Sequence, residues 1–196
     1  MKRSPNKKIT IADINKIYGK HKEKFITTDN YKLGEQYNLG YGEITHKGFK
    51  NILNFIGKPK PMTFIDLGCG NGRALSYAFL NGIKSIIGVE ILDERYKFAL
   101  KAIKKLKMDK VQIVNSDIFD LKSSFFPTNC LIFISNLLFP EDTTQNLIRF
   151  LSDNVKEDTY IALTVIPKNL YELNLIQQIN TPMSWCETSQ CYILKK

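Results

Sequence analysis

The chain has 196 residues, 43% of them hydrophobic, and a formal net charge of +9. That length and composition suit one soluble globular domain with a core of its own. No apolar run approaches the roughly 20 residues that cross a bilayer, and Met1-Lys-Arg-Ser-Pro-Asn-Lys-Lys8 lacks the apolar centre of a secretory signal, so an intracellular protein without a membrane contact is expected. The four cysteines, at positions 69, 130, 186 and 191, form no C-x-x-C pair and come with only His21 and His46. Zinc is therefore not expected, and free thiols in a reducing compartment are.

The charge is local. Residues 1–24 hold eight basic residues against Asp13 and Glu23, which reads as a basic arm (1–26) suited to a polyanion such as DNA. Within it, Thr10-x-x-Asp13 ahead of Ile14, Ile17 and Tyr18 predicts a short capped helix near 11–19. From Thr27 to Gly42 the chain is rich in Tyr, Asn, Asp and Gly without periodicity and reads as an ordered loop. Ile44, Phe49, Ile52, Leu53 and Ile56 then recur at helical spacing until Gly57, ahead of Pro59 and Pro61, ends the helix. Residues 27–61 thus form a loop and helix in front of a core spanning 62–196.

That core opens on Thr63-Phe-Ile-Asp-Leu-Gly-Cys-Gly-Asn-Gly-Arg73, a buried strand ending in an acid and breaking into a loop with glycines at 68, 70 and 72. Glycines at alternate positions allow positive φ and the close approach of a ligand to the backbone, a nucleotide-type cradle. A phosphate-binding Gly-Lys-Ser/Thr is missing. Arg73 to Asn81 reads as a crossover helix closed by Gly82, and Ser85-Ile-Ile-Gly-Val-Glu90 as a second strand that also ends in an acid. A second helix follows from Asp93 to Lys107, with an apolar face of Tyr96, Phe98, Leu100, Ile103 and Leu106 and seven basic residues between Arg95 and Lys110. Val111 to Val114 is a third strand, leading to Asn115-Ser-Asp117-Ile118. Leu131 to Ile134 is a fourth, followed at the sheet's carboxyl edge by Ser135-Asn-Leu-Leu-Phe-Pro-Glu-Asp142. Gln145 to Val155 reads as a helix, Tyr160 to Ile166 as a fifth strand, and Leu173 to Leu194 as an antiparallel hairpin. Alternating βα units closed by a β pair predict an α/β, Rossmann-like fold with a seven-stranded, mostly parallel sheet and a C-terminal antiparallel hairpin.

Asp66-x-Gly-x-Gly-x-Gly followed by Glu90 resembles motif I and the acidic loop of class I S-adenosylmethionine (SAM) methyltransferases. SAM carries no phosphate, two ribose hydroxyls that Glu90 can bind, and a cationic end that favours an acid such as Asp66. The wider set of Tyr41-Gly-Glu-Ile-Thr45, the glycine loop, Gly88-Val-Glu90, Asp117, Ser135-Asn-Leu-Leu-Phe139 and Ser184-Trp-x6-Tyr192-x-Leu194 is similar to the disruptor-of-telomeric-silencing family. These are the non-SET lysine methyltransferases of the globular face of histone H3 in nucleosomes. The similarity runs from about residue 37 to the end.

That resemblance implies SAM as cofactor, with Tyr41, Glu43 and Thr45 at its amino-acid end, Asp66, Gly68, Cys69, Gly70 and Gly72 along the loop, Glu90 at the ribose, and Asp117 with Ile118 at adenine. It further implies Ser135 and Asn136 beside the methyl group, with Asn136 also touching the cofactor, and Phe139, Trp185 and Tyr192 along a lysine channel, Tyr192 counting with the catalytic set. The family has Asn-Asn-Phe-Ala-Phe where this chain has Ser135-Asn-Leu-Leu-Phe139, so both Ser135 and Asn136 stand as candidates for the catalytic place. The implied reaction is direct transfer from sulfonium to a lysine amine, with no metal and no dedicated base. A monomeric nuclear protein acting on nucleosomes, its basic arm on DNA, is the expectation. The rival readings are a small lysine methyltransferase of non-histone proteins, a nucleic-acid N-methyltransferase, whose Asn/Asp-Pro-Pro-Tyr-like segment is lacking here, and a non-catalytic SAM-binding or DNA-binding module.

Overall fold

The structure, a computed structural model, describes residues 9–19, 42–57 and 62–196. Tyr41, Pro59, Pro61 and the basic residues at 1–8 and 20–26 lie outside the described residues. Seven strands form one sheet: β1 (Thr63–Leu67), β2 (Ser85–Glu90), β3 (Val111–Asn115), β4 (Cys130–Ile134), β5 (Tyr160–Leu163), β6 (Asn174–Asn180) and β7 (Gln190–Lys195). Their spatial order is β3-β2-β1-β4-β5-β7-β6. The first five run parallel, β7 runs antiparallel to β5, and β6 antiparallel to β7. This is the sheet that the alternating pattern predicts.

Among the described residues five α-helices pack with it: α1 (Ile11–Tyr18), α2 (His46–Ile56), α3 (Arg73–Leu80), α4 (Asp93–Leu106) and α5 (Glu141–Asn154). Side chains alternate across a strand, and β4 is apolar on both faces because helices pack on each. Leu131 and Phe133 join α2 and α3 in one core cluster, Ile132 and Ile134 join α5 in the other.

The helix expected near 11–19 forms as α1. Thr10 Oγ1 accepts from Asp13 N at 3.2 Å while Asp13 Oδ2 accepts from Thr10 N at 3.0 Å, a complete capping box. It is no loose appendage. Ile14 is fully buried, α1 lies against α3 and α4, and the rings of Tyr18 and Phe98 stand 6.0 Å apart.

Three local expectations are corrected. Helix α4 faces the core through Ala99 and Ala102, whereas Phe98 and Leu100 are about two-fifths exposed. The reason is close approach: a Cβ on Gly72 would lie 3.1 Å from Cβ of Ala99, so the glycine loop leaves room only for small residues there. Ile44 lies outside α2, paired in a β-bridge with Met183, because Thr45 caps the helix. Helix α5 begins at Glu141, a turn before Gln145, after Pro140; acids at 141 and 142 suit a helix N-terminus.

The second cap also fixes where α2 stands. Thr45 Oγ1 accepts from Gly48 N at 3.0 Å and donates to the Pro182 carbonyl at 2.8 Å. A Cβ on Gly48 would lie 2.3 Å from that same carbonyl oxygen, which is backbone and cannot rotate away. Alanine improves helix propensity by about 1 kcal/mol over glycine. Overpacking costs about 1–3 kcal/mol, and here it should win. Gly48→Ala is therefore expected to lower stability in equilibrium denaturation; a stabilised variant would show that α2 is not held against residue 182.

Candidate functional site

Strand order reverses between β1 and β4, and in open α/β sheets ligands bind at the carboxyl ends of the strands at such a point. A cavity of about 360 Å³ opens there. Its floor is built from the strand ends. Beyond Leu67 the chain turns through Gly68, Gly70 and Gly72, with φ of 81°, 54° and 84°, a left-handed backbone that side chains resist. The loop is tied to β2: Gly68 N and Cys69 N both donate to the Val89 carbonyl at 2.9 Å. Glu90 completes the tie, Oε2 accepting from Gly70 N at 2.7 Å and Oε1 from Leu92 N at 2.8 Å.

Its walls come from elsewhere in the chain. Residues 42–45 run beside 182–185: Glu43 N donates to Ser184 Oγ at 2.9 Å, Ser184 N to the Glu43 carbonyl at 2.7 Å, and Thr45 N to the Pro182 carbonyl at 3.1 Å. The Trp185 ring lies directly on Gly42, where a Cβ would come within 2.3 Å of it. Facing this wall is the segment after β4, with Ser135, Leu137, Leu138 and Phe139.

Of the residues singled out from the sequence, the cavity is lined by Glu43, Asp66, Gly68, Cys69, Gly70, Glu90, Asp117, Ile118, Ser135, Phe139 and Trp185. Asp117 also caps a short 3-10 turn, Oδ1 accepting from Phe119 N at 3.0 Å. Tyr41 lies outside the described residues. Four others are not in the lining. Thr45 spends its hydroxyl on the α2 cap, and Gly72 lies under α4. Asn136 is 1% exposed and turned inward: Oδ1 accepts from Thr164 N, Thr164 Oγ1 and Val165 N at 3.0 to 3.1 Å, and Nδ2 donates to the Val165 carbonyl at 2.8 Å. That fastening also ends β5 at Leu163, short of the expected Ile166. Tyr192 sits on β7 opposite Leu163 and Gln178, at the edge of the α5-side core.

The sequence reading missed Arg73, Phe119, Leu137 and Leu138 as lining residues. Arg73 was legible only as the start of a helix. It is 2% exposed, with Nε 2.7 Å from Glu43 Oε2. Leu137 and Leu138, 45% and 38% exposed, follow the fourth strand directly, and an apolar pair at a sheet's carboxyl edge is the signal that could have marked them.

Electrostatically the floor is acidic and buried, with Asp66 3% and Glu90 4% exposed. Burial, and secondarily the like charge of Glu90, push the Asp66 carboxyl well above the usual carboxylate range. Burial also raises Glu90, against the Leu92 and Gly70 amides and the Arg95 cation, which favour its charged form. Four carboxyl groups, of Glu43, Asp66, Glu90 and Asp117, thus line the cavity against the guanidinium groups of Arg73 and Arg95. Among the described residues no group of His, Cys, Asp and Glu could hold a metal ion.

Residues 58–190 match the family model described as a methyltransferase domain. No curated protein sequence shows significant similarity to the chain. Among solved structures, the fold is similar to an RNA methyltransferase from Salinibacter ruber in complex with S-adenosyl-L-homocysteine, with a TM-score of 0.58, 18% identity, and coverage of 74% of this chain and 87% of that one. It is also similar to the putative methyltransferase yhhF from Escherichia coli, with a TM-score of 0.61, 15% identity and coverage of 78% and 86%. A third is PKMT2 from Rickettsia typhi in complex with AdoHcy, with a TM-score of 0.51 and 19% identity; 60% of this chain spans 25% of that one. At these identities the likeness shows the fold alone.

SAM is the cofactor such a site takes, and the acidic floor fits its cationic end. Asp66 and Glu90 hold protons more tightly in the fold than in the unfolded chain. Their contribution to stability is therefore present at low pH and lost as pH rises from about 4 through the raised values. Bound SAM, a cation, offsets that loss, so its stabilising shift in Tm should grow with pH over this window. Thermal melts with and without SAM, repeated on Asp66→Asn, check this. The variant should show a flatter profile, and a ligand shift independent of pH in the parent would contradict the assignment.

Proposed function

Because the chain belongs to the methyltransferase-domain family and is a SAM-dependent methyltransferase, we propose that its acceptor is the side-chain amine of a protein lysine, histone H3 in the nucleosome being the first candidate. The observation that carries this reading is the collar of the cavity. Leu137, Leu138, Phe139 and Trp185 are apolar or aromatic, and residues 135–139 include no acid, no histidine and no lysine. A hydroxyl acceptor needs a base at that place. An amine needs only to arrive neutral, and an apolar collar lowers the pKa of a lysine that is about 10.4 in water.

When bound, SAM supplies a methyl group on a sulfonium. The chain's own part is to bind, orient and keep water out. Ser135, whose residue lines the cavity, takes the place of the hydrogen-bonding group that orients the incoming nitrogen. Asn136 instead holds the Ser135 segment against β5 through its four bonds to residues 164 and 165. Glu43, Asp66, Glu90 and Asp117 are the groups for the cofactor's amino-acid end, sulfonium side, ribose and adenine.

The histone part of the proposal rests on the resemblance in sequence together with the distribution of charge. Helix α4 carries exposed Lys97, Lys101, Lys104 and Lys105, and α1 lies against it with basic residues on either side in the sequence. A nucleic-acid substrate is the second reading, and this same charge favours it. Methyl transfer to nucleosomes, free histones, DNA and RNA in parallel separates the two; label on nucleic acid alone would overturn the lysine reading. Ser135→Ala should then lower turnover about tenfold, the equivalent of one hydrogen bond to a reacting group, with SAM affinity nearly unchanged.

For the arm, neutralising Lys2, Arg3, Lys7 and Lys8 is a cleaner test than deleting residues 1–24, because α1 is built into the fold. Each lost phosphate contact should flatten the log-log salt dependence of nucleosome binding by about 0.9. Unchanged slopes would leave the arm without a docking role.

A further inference from the structure

The buried Arg73 joins the Glu43 carboxylate to the end of α1. On one side its Nε meets Glu43 Oε2 at 2.7 Å, and both residues line the cofactor cavity. On the other side it meets the end of α1. Its Nη2 donates to the Gly19 carbonyl at 2.9 Å, and the guanidinium stands 5.2 Å from the centre of the Tyr18 ring, within cation-π range. Tyr18 is itself anchored to the glycine loop, its hydroxyl donating to the Gly72 carbonyl at 3.1 Å and lying 2.9 Å from Ser76 Oγ.

We propose that α1 is part of the cofactor site: Tyr18 and Gly19 hold Arg73, and Arg73 positions the Glu43 carboxylate for the ammonium of the cofactor's amino-acid end. The proposal rests on the SAM reading and on Glu43 at that end. A glutamate side chain has three rotatable bonds, and the backbone bonds of residues 42–45 to 182–185 fix only its root. The guanidinium fixes its tip. Arg73 in turn is a long cation out of water, and a planar group wedged between a carboxylate, a backbone carbonyl and an aromatic face is restrained in a way that a point-like ammonium is not. Arg73 is accordingly a positioning residue. Helix α1 thereby acts on cofactor affinity without touching the cofactor.

The test compares two ligands that share the adenosyl end and differ at the other. S-adenosylhomocysteine has the amino-acid end; 5′-methylthioadenosine lacks it. In calorimetry on the full chain, Arg73→Gln is expected to weaken S-adenosylhomocysteine about tenfold, as losing one charge-assisted hydrogen bond would, and methylthioadenosine less than about twofold. Tyr18→Ala should give the same selective loss at smaller size, and Arg73→Lys should recover part of it. Glu43→Gln should match Arg73→Gln, and the double variant should be little worse than either single one, since the two act through one contact.

Methylthioadenosine binding also reports that each variant is folded. Equal weakening of both ligands in Arg73→Gln and Tyr18→Ala would mean general loosening and would overturn the proposal, as would undiminished S-adenosylhomocysteine binding. If the parent bound neither ligand, the cofactor reading itself would fall, and this inference with it.

Discussion

The structure depends on one carboxylate. Glu90, at the end of β2, takes the amides of Gly70 and Leu92 on its two oxygens, while the Val89 carbonyl before it takes those of Gly68 and Cys69. A loop with three residues at positive φ has little intrinsic preference for one shape; the three bonds that reach it select one, while the Leu92 amide holds the Glu90 carboxylate in place. The rest follows in close contacts. The bare Gly72 lets α4 come down on Ala99, and the bare Gly88 lets Leu75 and Cys69 close over β2, where a Cβ would lie 2.7 to 2.8 Å from them. The acid that gives the cradle its shape thus sits in the cavity with its charge desolvated, and the binding of a cation or of ribose hydroxyls relieves what the fold has imposed.

The second wall is assembled across the chain. Residues 42–45 and 182–185 are about 140 positions apart and fasten to each other by backbone bonds, with Trp185 laid on Gly42. This wall and the apolar collar after β4 make a floor of acids into a site with an entrance. The floor carries the acids and the entrance carries the apolar and aromatic side chains. The lysine reading accordingly rests on the collar and the fold reading on the sheet.

What could be read from the sequence was what is local. The five parallel strands show as apolar runs, the loop as glycines at alternate positions, and Asp66 and Glu90 as acids where a strand must end, because each signal lies within a dozen residues. The direction of a side chain at a junction is a different matter. Asn136 and Ser135 are neighbours of opposite fate, and the choice is made by Thr164 and Val165, nearly 30 positions on, whose amides donate to the Asn136 oxygen. The family resemblance puts Tyr192 in a channel, but its place follows from the register of β7 against β5, which no local pattern fixes. Thr45 is a helix cap because Pro182 offers a carbonyl beside it. Phe98 and Leu100 are large apolar residues on α4 yet lose the core to alanines, since Gly72 approaches that face.

The role assigned to the Glu90-shaped loop is to cradle SAM. A crystal structure of the chain with S-adenosylhomocysteine tests it most directly. The ligand is expected along Gly68 to Gly70, with ribose hydroxyls on Glu90, adenine beside Asp117 and Ile118, and sulfur turned toward Ser135 and the collar. A ligand seated elsewhere, or reversed with adenine at Trp185, would contradict it.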